Sequence, residues 1–473
     1  MREAKEVDLM NFKERLVGLE FENPLLRADG TIINQEDIQK FWNAFIKEGD
    51  ERDADYLTGV LVGAKKKLSN GKFESLNTDT GVTTLEMSLS PCKSLDEAKK
   101  NYDEVRTAVL GTAKKLGFRY LGYAIWPRTF VGKNPYDYKT KKSLYAALNL
   151  PRHNLQLPIT AHQTGISLRA DEVLSAINTL QALSGTITCL SANSPIFEDK
   201  IMPWKETRLV NWNLTSTSAH SQGEMDIFAQ MPSRPFTSLA DYFKYIWRTT
   251  LVLPMLRNGQ WVKPNQKLTP IEYLKGTKWP AKDLFGKDTE LEPTLSDLNL
   301  LSICSWMDAK PHLVFKSSAV TLNEFLKNLE ADTLDEYIKG RLVNCYMEYR
   351  IGGSSPAGEE LALPALSLGL VNNLKRAEKL VAKYSWADWR KLRGNSYITG
   401  MGGKIGNDDI VPVLQELAEI AQEGLKMRSM GEEKYLEPVN TRIMEKKNPA
   451  DKCIEVFKEK GMGGLLDYVT YTK

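Results

Sequence analysis

The chain has 473 residues, 42% of them hydrophobic, which is ample material for a core. Lys and Arg number 63 against 60 Asp and Glu, so no basic field argues for nucleic acid or a membrane surface as a partner. The five cysteines, Cys92, Cys189, Cys304, Cys345 and Cys453, are scattered without a CxxC pair, which argues against a zinc site and fits a reducing compartment. The start, MREAKEVDLMNFKERL, is charged and lacks the apolar stretch of a secretory signal, and no apolar run approaches the ~18 residues of a membrane span. The expectation is a soluble, cytoplasmic monomer or homodimer.

In chain order, Leu16-Val17-Gly18-Leu19-Glu20-Phe21-Glu22 alternates strictly, with Val17, Leu19 and Phe21 on one face and Glu20 and Glu22 on the other, which predicts a half-buried strand. A polar, helix-prone region follows from Asn34 to about Gly63. Residues 84–90 repeat the opening pattern, with Leu85, Met87 and Leu89 facing one way and Glu86 the other. Ser94 and Glu97 form a capping box for a helix that carries Tyr102, Val105, Val109 and Ala113 and stops at Gly117. Residues 118–126 read as a strand, as do 158–168, with His162 in the middle. A helix then starts near Ala170-Asp171 and places Val173, Leu174, Ile177 and Leu180 on one face.

Ser191-Ala192-Asn193-Ser194-Pro195 reads as a turn, and Asn258-Gly259 as the turn of a short hairpin. Residues 314–342 read as one or two helices inserted between strands. Residues 343–351 are a fourth alternating strand, with Asn344, Tyr346, Glu348 and Arg350 on one face, and from Leu361 onward the chain is helical. Strands gathered early and helices late predict an α+β fold with an antiparallel sheet. The expected organisation is a single body: sheet strands from 16–230 and 343–356, insertions over 232–342, and a helical region over 361–473.

Carboxylates side by side on one strand face repel, and a hard cation such as Mg²⁺, which takes oxygen ligands, relieves the repulsion. The alternative is an edge strand with a solvated acidic face. If the four alternating strands share one sheet, Glu20, Glu22, Glu86, His162, Glu348 and Arg350 line one surface, with Asp79 shortly before the second strand. Metal ions would balance the acids and the guanidinium would meet a phosphate, an arrangement suited to phosphoryl transfer. Each group also has a plain structural reading: His162 as a core histidine, Glu348 and Arg350 as an ion pair, Asp79 as a turn residue. The glycines of residues 400–406 match neither a P-loop nor GxGxxG and read as a loop. No GxSxG elbow is present and nothing supports a cysteine nucleophile.

The motifs VGLEFE, LEMSLSP, ANSPIFEDK and MEYR, with WADWRKLRGNSYITG, IVPVLQELAEIAQEGL and NPADKCIEVF in the tail, resemble the plant-type glutamate–cysteine ligases and related carboxylate–amine ligases of the glutamine-synthetase-like superfamily. The likeness runs from about Val17 to Phe457. It implies an antiparallel sheet curved into a funnel, with ATP and Mg²⁺ on the concave face. It also implies that Glu20, Glu22, Asp79, Glu86 and Glu348 are metal ligands, that His162 faces a metal, and that Arg350 faces the transferred phosphoryl. Asn193, Arg208 and Trp212 fall on its substrate side. The substrates it implies are glutamate and cysteine. There is one departure: family members follow the tryptophan with acidic residues and an arginine that helps hold the amino acid, whereas this chain has Asn213-Leu214-Thr215-Ser216-Thr217-Ser218-Ala219-His220. His220 is a partial substitute at best. A ligase using another amine or donor acid, and a non-catalytic binding protein of the same fold, are the alternatives.

Overall fold

The alternation at residues 16–22 does form a strand, and that strand is central. The computed structural model describes residues 14–472 apart from 56–58, 80, 129–156, 219–230, 250, 251, 253, 259, 284, 299, 300, 302–306 and 317. Cys304 and His220 therefore lie outside the described residues. Strands β1 (Val17–Arg27), β2 (Glu51–Ala54), β3 (Leu61–Lys67), β4 (Phe73–Thr78), β5 (Thr84–Ser88), β6 (Phe118–Tyr120), β7 (His162–Ser167), β8 (Ala309–Phe315) and β9 (Leu342–Tyr349) make one antiparallel sheet. Its order is β8-β9-β7-β1-β5-β4-β3-β2, and β6 pairs with the far end of β1.

One face of this sheet is the core. Val17, Leu19 and Phe21 are buried there, and Phe21 meets Tyr102 with ring centroids 4.3 Å apart. Tyr102 belongs to α2 (Leu95–Leu116), which follows α1 (Gln35–Phe45). At the start of α2 the Ser94 hydroxyl accepts from the Glu97 N–H, and Gly117 ends the helix at φ 72°, a left-handed conformation that costs glycine little. Helix α3 (Val173–Ser191) is buried almost all round and packs on β8, β9 and α6 (Trp386–Thr399). Helix α4 (Thr207–Ser218) lies before the insertions, α5 (Ala362–Asn372) packs against α7 (Ile410–Arg428), and α8 (Pro449–Val469) closes the described chain.

The structure differs from the sequence reading in several places. The polar stretch after α1 contributes β2, β3 and β4, because strands toward the edge of a sheet carry polar residues on their solvent side. Residues 118–126 keep only three residues of ladder. Within the region expected to be insertions, Ala309–Phe315 is a strand of the main sheet, and the helices Leu322–Glu330 and Leu334–Ile338 come after it. The hairpin across Asn258 forms as expected, and belongs to a separate sheet of Met255–Arg257, Gln260–Pro264, Trp279–Asp283 and Asp288–Leu291. Among the described residues one helix, Ala170–Ser191, is long and apolar enough to cross a membrane by length and composition alone, which the sequence reading overlooked. Its most apolar window is 83% buried inside the protein, as a core helix is.

Helices α5 and α7 touch through glycines. A Cβ on Gly369 would stand 2.2 Å from the Ala421 carbonyl oxygen, and one on Gly424 would stand 1.9 Å from that of Gly369. Backbone cannot yield there as a flexible side chain would, so Gly424→Ala forces the helices apart. The expected cost is about 3 kcal/mol, the upper end of overpacking losses. Urea unfolding of parent and variant measures it, and a loss below about 0.5 kcal/mol, the scale of a neutral surface change, would mean that the helices are not in this contact.

Candidate active site

The other face of the sheet carries the charges. Residues directly opposite each other on neighbouring strands share a face, so register settles which side chains meet. Glu22 of β1 stands opposite Glu86 of β5, and Glu20 opposite Ser88 on one side and Gln163 on the other. Glu348 of β9 is opposite Gly165 of β7 and Lys310 of β8. Beside them Gly18, Gly165, Ser88 and Ser167, with little or no side chain, leave a cavity of about 220 Å³ that Glu20, Glu348, Tyr346, Leu89 and Pro91 also line.

The acids at the two ends are held differently. Glu22 accepts from the Ala161 N–H and the Gln163 amide, each at 2.8 Å. Burial, together with the charges of Asp79 and Glu86, pushes its carboxyl well above the usual range, against the pull of Arg208. Glu86 accepts from the Ser88 hydroxyl at 3.1 Å. Asp79 sits in the β4–β5 turn, its N–H donating to the Thr84 carbonyl. Glu20 lies between the ends: burial, then Glu86 and Glu348, pushes it up to about 8, while Lys310 and Arg350 draw it down. Glu348 is surrounded by donors. Lys310 Nζ is 2.8 Å from Oε2, His312 Nε2–H donates to the same oxygen at 2.5 Å, and Arg350 Nε is 2.9 Å from Oε1. Burial works to raise the Glu348 carboxyl, and Lys310, Arg350 and His312 outweigh it and hold it well below the usual range.

Arg350 is fixed from several sides. Its Nε also donates to Gln163 Oε1 at 3.2 Å, and its guanidinium lies 5.2 Å from the centre of the Trp212 ring. Its backbone N–H donates to the Asp308 carbonyl, and the Asp308 side chain takes Arg393 Nε of α6 at 2.6 Å. Arg208, at the start of α4, donates to the carbonyls of Ile351 (3.1 Å) and Arg350 (2.8 Å). Arg208 thereby grips the backbone that presents Arg350.

The expectation for His162 is corrected. It stands opposite Phe21, a core residue, so it points away from the acids and is 2% exposed, its ring edge-on to Phe21 at 4.8 Å. Its Nδ1 accepts from the Ser355 N–H, so Nε2 carries the hydrogen toward Asn23 Oδ1. Burial, with a contribution from Arg208, pulls its pKa down to about 3. Gln163, one residue on, holds the cleft position. Asn193 is likewise in the core, its amide donating to the carbonyls of Gly122 and Ser354 and thus tying loops together. The sequence reading also missed Lys310 and His312, which alternate with Ala309, Pro311 and Leu313. Pro311 obscured the strand, yet β8 ends the sheet order, where proline is tolerated.

Among the described residues no three His, Cys, Asp or Glu side chains form a ready-made metal cage. The donor set fits Mg²⁺ nonetheless. It is all oxygen, its carboxylates raise one another, and Mg²⁺ is ordinarily held by one or two carboxylates with waters and phosphates completing the shell.

The sequence profile of glutamate-cysteine ligase family 2 (GCS2) matches residues 31–275, just over half of the chain. Among solved structures the fold is similar to that of glutamate–cysteine ligase from Francisella tularensis in complex with AMP. The TM-score is 0.51 at 12% identity, over 96% of this chain and 87% of that one. A bifunctional glutathione synthetase from Pasteurella multocida gives a TM-score of 0.49 at 10% identity, over 98% of this chain and 51% of that one. No curated protein sequence matches significantly. Fold, site and profile together define an ATP-dependent carboxylate–amine ligase. The chain belongs to glutamate-cysteine ligase family 2.

Two consequences are measurable. The folded-state pKa of Glu20 lies above its unfolded value of 4.5, so between pH 4.5 and about 8 folding keeps a proton that the unfolded chain gives up. Metal-free protein therefore loses stability as pH rises through that window, and Glu20→Gln, which cannot ionise, flattens the loss and melts higher than the parent at pH 8. Parallel melting curves from pH 5 to 8 for the two proteins would show that Glu20 is not under this strain. His162 works in the opposite direction. Its folded pKa of about 3 lies below the unfolded 6.5, so its contribution is whole above pH 6.5 and fades as pH falls toward 3. His162→Gln is expected to start less stable at pH 7 and to lose less between pH 7 and 4.5 than the parent, read from denaturant midpoints at both pH values.

Proposed function

We propose that the protein joins glutamate, through its γ-carboxylate, to the amine of a second amino acid, cysteine being the first choice, at the expense of ATP. The observation that supports this most directly is the arrangement across the sheet, in which Glu20, Glu22 and Glu86 share a face with Glu348 and Arg350, and Glu20 and Glu348 line a cavity that includes Gly18 and Gly165. The family to which the chain belongs carries the same reaction in its name.

In this reading the flat floor of Gly18 and Gly165, walled by Tyr346, Leu89 and Pro91, takes the base of ATP, and the phosphates run toward Glu20 and Arg350. A bound Mg²⁺, held by Glu20, Glu22, Asp79 and Glu86, would supply positive charge against the phosphate oxygens. A carboxylate is a poor electrophile because the group to be expelled is oxide. Attack of the γ-carboxylate oxygen on the γ-phosphorus of ATP expels ADP and gives an acyl phosphate, and attack of the amine nitrogen on its carbonyl then expels phosphate. Arg350 presents parallel N–H donors to the phosphoryl oxygens as charge moves between them. Gln163, Trp212 and the grip of Arg208 on the Arg350 carbonyl keep that guanidinium aimed.

The sequence after Trp212 favours a second reading, a ligase of the same chemistry with another acceptor amine or donor acid, because Asn213 to Ala219 lacks the charged residues that the resemblance would place there. A screen of phosphate release from ATP with glutamate and each amino acid separates the two. Release only with an acceptor other than cysteine would install the second reading.

Arg350→Lys tests the mechanism itself. An ammonium keeps the charge and gives up the planar fork, so the fold and much of the ATP affinity should persist while turnover falls about 10²-fold or more, the scale of losing one transition-state donor. Turnover within a few-fold of the parent would leave Arg350 as a salt-bridge partner of Glu348.

A further inference from the structure

Lys310 is a buried charge that the ligase mechanism does not use. It is 4% exposed, it stands opposite Glu348 in the register of β8 and β9, and its ammonium is 2.8 Å from Glu348 Oε2. His312 donates to that same oxygen, and Arg350 meets the other one at 2.9 Å. The charge of Glu348 is thus answered by cations of the chain itself. At the opposite end of the cleft Glu22 and Glu86 stand opposite each other with Asp79 nearby, and among the described residues Arg208, which also meets Glu206 at 3.8 Å, draws the Glu22 carboxyl down.

We propose that Lys310 stands in for a divalent cation at Glu348, so that metal bound in the cleft does not sit on Glu348. The inference rests on the ligase reading, under which carboxylates of this face meet metal. An ammonium is a compact point charge with several donors, the nearest side-chain equivalent of a small hard ion. A dication seated on Glu348 would lie within a few ångströms of it, in an interior where like charges are poorly screened. Glu20 and Glu348 both line a cavity of about 220 Å³, which is room for an ion and its waters once the ammonium is gone. The chain therefore carries a latent metal position that its own lysine occupies.

The test is a count of bound Mn²⁺ on the full chain without nucleotide, from the loss of the free-ion electron paramagnetic resonance signal and from calorimetry. Lys310→Met is expected to bind one Mn²⁺ per chain more than the parent, and Lys310→Arg the same number as the parent. Adding Glu348→Gln to Lys310→Met should remove the gained ion. Lys310→Gln, which leaves Glu348 an amide donor, is the second variant should the methionine fail to fold, and the same gain is expected of it. An unchanged count in the variants overturns the proposal, as does a gained ion that survives Glu348→Gln. The ligase reading fails separately. A chain that gains the ion on loss of Lys310, yet never forms product from ATP, glutamate and any amine, supports the role of Lys310 and removes the reaction proposed above.

Discussion

Repulsion between carboxylates on one side of a sheet is the constraint around which this molecule is arranged. Antiparallel pairing puts Glu22 directly against Glu86, and the strand period of two puts Glu20 on the same side. In water such neighbours repel only weakly. In a partly buried cleft they raise each other's proton affinity and destabilise the metal-free fold. The rest of the structure makes that tolerable: Val17, Leu19 and Phe21 anchor the opposite face of the same strand in the core, and cations are brought in from β8, β9 and α4. The strain is the kind that a ligand of opposite charge relieves, so instability and affinity have one origin here.

Much of this was legible in the sequence, because strict alternation is a statement about faces. Alternation at 16–22, 84–90 and 343–351 gives the inward faces and puts Glu20, Glu22, Glu86, Glu348 and Arg350 on the other side, except that Val343, expected inward, is 58% exposed, at the end of the strand where the pairing register shifts. The same rule, misapplied, put His162 among the acids. Ile166 and Leu168 occupy even positions of that strand, and an even-numbered histidine shares their side, so parity alone assigns His162 to the core. Lys310 and His312 were hidden for another reason. Their alternating partners include a proline, which is evidence against a strand everywhere except at an edge, and whether a strand is an edge is a tertiary fact.

Asn193 and Arg208 show the limit of motif reading from the other direction. Both lie in or near a motif that resembles a substrate-binding segment, and both spend their hydrogen bonds on backbone carbonyls. A motif marks residues that a site needs without saying whether they touch the ligand or hold what does. Arg208 is of the second sort, since the carbonyl it grips belongs to Arg350. The chemistry on this face is set as much by carbonyl clamps and the Asp308–Arg393 pair as by the groups that would meet substrate.

The strand order has a consequence for how the chain comes into being. The acidic side of the cleft is complete once residue 88 has been made, while its cationic side comes from residues 309–350. At roughly 5–20 residues per second the ribosome takes on the order of tens of seconds to cover that gap. Once residues 162–167 are made β7 offers an open edge where β9 will pair, and until 309–350 follow the carboxylates of β1 and β5 lack Lys310 and Arg350. The early half of the protein therefore waits as an acidic sheet with one unfinished margin, and closing that margin delivers the counter-charges in the same event.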